Sequence, residues 1–101
     1  MSDSVITQRF RVHVLRLDAV GCPTHLVYSY IPDAPNSSHL AYDTGAGFTI
    51  HVVSIEAYVM VFTRASDMSA ATDYFVGYMS VGEFRRVPIR DGFEVSVARV
   101  R

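Results

Sequence analysis

Apolar and polar residues alternate with a period of two along most of this chain, and no stretch keeps helical spacing for longer than about two turns. In a first strand near Val5–Leu17, Phe10, Val12 and Val14 fall on one side while Arg9, Arg11 and His13 fall on the other. At Leu15 and Leu17 the parity flips. That flip predicts a bulge, or a bend carrying one strand between two sheets. Gly21-Cys22-Pro23-Thr24 reads as a turn, Leu26–Ile31 as a β-branched and aromatic strand, and Pro32–Ser38 as the loop that closes it.

Alternation resumes at Phe48–Val53, with Phe48, Ile50 and Val52 opposite Thr49, His51 and Val53. The hairpin partner, Tyr58–Thr63, is apolar on both faces, which predicts a central strand covered on both sides with Tyr58 and Met60 in the core. Ala65–Asp73 is the one segment that could make a short helix, near residues 66–73 with Ser66 as N-cap; the alternative is a loop. Tyr74–Val81, Phe84–Ile89 and Phe93–Val100 supply further strands, separated by Gly82 and the Asp91-Gly92 turn signal. The expected fold is all-β: one domain over residues 1–101, a small antiparallel β-sandwich or barrel of about seven to eight strands.

Composition adds limits. With 101 residues, half of them hydrophobic and 19% charged, the chain lies far from the disordered regime and can hold one core without disulfides. Cys22 is alone and reads as an inert thiol with the burial habit of free cysteines. The longest apolar run, Val52 to Phe62, is broken by Ser54 and Glu56, so no membrane contact is expected. Met1-Ser2-Asp3-Ser4 has neither the basic start nor the apolar core of a secretory signal; the expected location is intracellular or virion-associated. All nine basic residues are Arg, a side chain suited to surfaces that touch, although a coding bias would produce the same composition. Five of them, Arg85, Arg86, Arg90, Arg99 and Arg101, lie in residues 83–101 against three acids and could meet phosphates or an acidic partner, although a solvated strand face is the plainer reading. Without a helix motif or interleaved aromatics, nucleic acid is not the expected partner.

Leu40-Ala41-Tyr42-Asp43-Thr44-Gly45-Ala46-Gly47-Phe48-Thr49-Ile50 resembles the catalytic segment of retropepsin-type aspartic proteases. The resemblance implies a two-fold dimer in which paired Asp43 carboxylates share a proton, with Thr44 and Gly45 completing the motif. Tyr42, Gly47 and His51 depart from the family pattern; the plain alternative is a turn between strands. Phe48–Phe62 is similar to a hairpin of plant ribosome-inactivating proteins, which implies rRNA N-glycosylase chemistry with Tyr58 stacking on adenine. Glu83-Phe84-Arg85-Arg86 has the spacing of that family's Glu and Arg but sits in a strand pattern.

His13, His25, His39 and His51 form no sequence cluster with metal-ligand spacing, so no metal and no cofactor are expected, and solvent-facing or hydrogen-bonded rings are the simpler reading. The tyrosines give the leading functional expectation. Tyr28 with Tyr30, and Tyr74 with Tyr78, fall on common strand faces, where exposed rings would be adhesive. The chain is therefore expected to be a non-catalytic interaction or assembly module, such as a small virion or phage component or an inhibitor of a host protein. Its partner would be itself or another protein, met through sheet edges and through Tyr28, Tyr30, Tyr74, Tyr78, Arg85, Arg86 and Arg90.

Overall fold

The computed structural model describes the backbone of residues 8–34 and 37–100 and the side chains of residues 10–27 and 38–100. Eight strands follow one another: β1 (Gln8–Leu17), β2 (Pro23–Ala34), β3 (Ser37–Asp43), β4 (Phe48–Ile55), β5 (Tyr58–Ala65), β6 (Ala71–Tyr78), β7 (Phe84–Pro88) and β8 (Phe93–Arg99). They form two four-stranded antiparallel sheets, ordered β2-β1-β8-β7 and β3-β4-β5-β6. The second sheet is an uninterrupted meander. The first is closed by pairing β1 with β8, so the earliest and latest strands lie side by side at its centre.

The alternation read from the sequence becomes the inside and outside of this sandwich. Phe10, Val12 and Val14 of β1 and Val95 and Val97 of β8 are buried against Phe48, Ile50 and Val52 of β4 and Val59 and Val61 of β5. Across the gap Phe48 meets Phe93 edge to face at 5.7 Å, and the guanidinium of Arg90 covers Phe48 at 4.7 Å. Arg99, on the inward parity of β8, ends the core by donating to the Met79 carbonyl at 2.7 Å. Met79, wholly buried, carries the chain from one sheet to the other.

Four local expectations change. The parity flip in β1 does mark an irregularity, because Val14 pairs with Val27 and Leu15 with His25, leaving Leu26 extra; β1 nevertheless stays within one sheet. Residues 37–43, read from the sequence as loop and motif, are strand β3. Residues 66–70 form a tight turn in place of the helix, with Met68 N–H donating to the Ala65 carbonyl and Ser69 N–H to Asp67. The helical turn of the described residues is instead a 3-10 turn at Arg90–Gly92, where Asp91 takes a left-handed φ of 60° beside Gly92. Cys22 is exposed in the β1–β2 turn and is not buried.

If the Phe48–Phe93 contact locks the two sheets together, Phe93→Ala should destabilise the domain by about 3–5 kcal/mol. Val20→Ala, at a fully solvated loop position, should change stability by less than about 0.5 kcal/mol. Urea melts of the two variants compare these values directly.

Candidate functional site

The outward face of the β3-β4-β5-β6 sheet is divided along its length. Strand register puts Ile55, Tyr58 and Tyr78 on one rung and Val53, Met60 and Val76 on the next. Toward the other end follow His51, Phe62 and Asp73, then Thr49, Arg64 and Ala71. The first two rungs carry no charge. Ile55, Tyr58, Val76 and Tyr78 are each more than half exposed, and the Tyr58 and Tyr78 rings meet edge to face at 6.4 Å. Val53, Ile55, Tyr58, Val59, Met60 and Val76 line a shallow groove of about 40 Å³, far below the roughly 300–1,000 Å³ of small-molecule sites. A depression of that size takes no more than about one apolar side chain of another surface.

Tyr58 is thus 59% exposed, where the sequence pattern put it in the core. It opens β5 directly after the Glu56-Ala57 turn, on the outward parity, and no element of the described chain covers it. The two C-terminal tyrosines do not share a face. Val61 pairs with Phe75 but Phe62 with Asp73, which makes Tyr74 a bulge residue that packs on the core while Tyr78 points outward. Tyr28 and Tyr30 lie on β2, opposite His13 and Arg11 in register, and their side chains lie outside the described residues.

The arginines of β7 and the turn after it each hold an acid. Arg85 meets Glu83 at 2.7 Å, Arg90 meets Asp91 at 3.2 Å, and Arg86 grips Glu94 with two nitrogens at 3.0 and 3.1 Å. Glu94 is buried between β1 and β7, and its carboxylate raises the pKa of Arg86 still further. A basic strip therefore becomes a row of neutralised pairs. Two of the four sheet edges are guarded as well, β7 by Pro88 and its charges and β6 by the bulge at Tyr74.

Asp43 ends β3 and serves its own turn. Its carboxylate accepts the Gly45 N–H at 3.0 Å, and Thr44 Oγ1 donates to the Phe48 carbonyl at 2.6 Å. Gly45 and Gly47 take φ of 73° and 92°, so the glycines of the motif serve the β3–β4 hairpin. Glu83 and Arg86 sit on a turn and on strand β7, with no helix presenting them on one face beside Tyr58.

The histidines form two cross-strand pairs, each between residues twelve apart. His13 Nδ1 and His25 Nε2 are 3.2 Å apart on the first sheet; His39 Nε2 and His51 Nδ1 are 2.8 Å apart on the second. Phe62 stacks on His51 at 4.7 Å with its ring 3° from parallel. Partial burial, then repulsion by the paired histidine, then by Arg11 or Arg64, lowers the pKa of His13 and of His51. Sequence reading missed both pairs because pairing depends on which strands become neighbours. The equal spacing across two hairpins was the available signal.

No protein-family model, curated protein or solved structure matches the chain.

The lowered imidazole pKa values set a pH dependence. The unfolded chain takes up protons below about pH 6.5 that the folded rings refuse, so stability is full above that value and falls as the pH drops through the folded values. Thermal melts between about pH 7 and pH 5 should show a falling Tm. The His13→Gln/His51→Gln variant should show a shallower fall; an equal slope would remove these rings as its source.

Proposed function

We propose that this chain is a non-catalytic assembly module that associates with a second copy of itself through the apolar half of the β4-β5-β6 outer face. The observation that supports this reading is the uncharged block of Val53, Ile55, Tyr58, Met60, Val76 and Tyr78, each partly or mostly exposed on the outer face of the second sheet. A pleated surface of this kind packs well against another sheet, with side chains interdigitating across about 10 Å.

A second copy is favoured over a foreign partner by charge. A two-fold contact lays the same patch on itself, so the patch must not repel itself, and these two rungs carry no charged residue. The β7 arginines lie on the other sheet, away from such a contact, and each is held by an acid. Two rungs on three strands cover about 14 by 14 Å at ordinary strand spacings, which is small beside the roughly 800 Å² per partner of a standard interface. Association is therefore reversible and depends on concentration. A virion or other assembly built of many copies would use such weak contacts in number.

Sedimentation velocity from low micromolar to submillimolar concentration tests this. The unaltered chain should pass from monomer toward dimer, and Val76→Asp, a change at an exposed position of an edge strand, should remain monomeric with an unchanged fold. A wild-type chain that stays monomeric throughout, or a Val76→Asp chain that dimerises equally, would refute the proposal.

A further inference from the structure

The His39–His51 pair straddles the border of the same sheet face, His51 on the polar rung with Phe62 and His39 on edge strand β3 beside Val53 of the apolar rung. β3 and β4 present the two rings from adjacent strands, offset by one rung, with centroids 5.0 Å apart and planes within 30°. His51 is fixed from the other side by Phe62 of β5. His39 is exposed on the edge strand, so solvent reaches the pair. Two rings held this way are partly organised before any ligand arrives.

We propose that His39 Nε2 and His51 Nδ1 chelate a divalent transition-metal ion of the Cu(II) type. Imidazole nitrogens bind such ions at about 2.0–2.1 Å, so two of them on neighbouring, right-angled coordination positions stand about 2.8–3.0 Å apart. The observed separation is 2.8 Å. That spacing suits the tetragonal geometry of Cu(II) or Ni(II) better than a tetrahedral ion, and among divalent ions Cu(II) binds such donors most strongly.

The proton inventory balances. In the metal-free pair one ring donates its N–H to the other; when the ion binds, that proton shifts to the same ring's outer nitrogen, and both imidazoles remain neutral ligands. No net proton leaves when both start neutral. No third metal-binding side chain joins the pair among the described residues, so the remaining coordination positions are left to water or to a small external ligand. The His13–His25 pair is built differently, because His25 Nε2 also lies 3.1 Å from the Val27 carbonyl and is engaged there.

Titration of the whole chain with copper(II) chloride in a non-coordinating buffer near neutral pH, read by electron paramagnetic resonance, tests the site. One equivalent should bind with coupling to two imidazole nitrogens. His39→Gln and His51→Gln should each weaken binding at least about tenfold, the scale set by loss of even a supporting metal contact, and leave coupling to a single nitrogen. His13→Gln should bind as the unaltered chain does. His39→Gln alters an exposed edge position and so tests the proposal even where His51→Gln disturbs the Phe62 stack; circular dichroism reports the fold of each. Copper bound without imidazole coupling, or bound as tightly by His39→Gln as by the unaltered chain, would overturn the assignment.

Discussion

The rest of the molecule depends on the burial of one face of each sheet against the other, concentrated in β1 and β8 on one side and β4 and β5 on the other. At about 25 cal/mol per Å² of apolar surface, the ten or so side chains that meet there outweigh any single turn or ion pair on the surface. Every outward feature follows from that commitment. Once Val59 and Val61 point inward, Tyr58, Met60 and Phe62 must point outward, because the strand allows only two directions. The apolar outer patch is thus the residue of a chain that carries more hydrophobic side chains than its single core accommodates.

Much of the fold was legible in the sequence for the same reason. Phe48, Ile50 and Val52 are buried and Thr49, His51 and Val53 are not, as alternation alone requires. The failures have separate physical causes. β3 is an edge strand whose inward stripe is only Leu40 and Tyr42 after Ser38, too short to announce it, and its pairing with β4 supplies much of its order. Residues 66–70 have helix-compatible letters but too few of them between two paired strands, and the side chain of Asp67 closes a turn first. Tyr74 was assigned to the wrong face because one extra residue in an edge strand reverses every parity inference made across it.

The candidate sites were legible only in part. Exposed tyrosine was a sound expectation for Tyr78, while Tyr58 entered the patch from a position that composition assigned to the core. The arginine strip read as a binding surface because a linear count of charge cannot show that strand pairing brings Glu94 within reach of Arg86. Histidine pairing is a property of strand adjacency, and adjacency is the part of a β fold that a linear pattern specifies least.

The closure of the first sheet by β1 and β8 has a kinetic meaning. The meander β3-β4-β5-β6 needs only contacts between successive strands and can assemble as soon as its own residues are available. Residues near Phe10 must wait for those near Arg99, almost the whole described chain away, before their ladder can form. On the ribosome, β1 emerges long before its central partner exists, so its ladder with β8 can form only once synthesis has passed β8, a non-local pairing of the kind that slows folding.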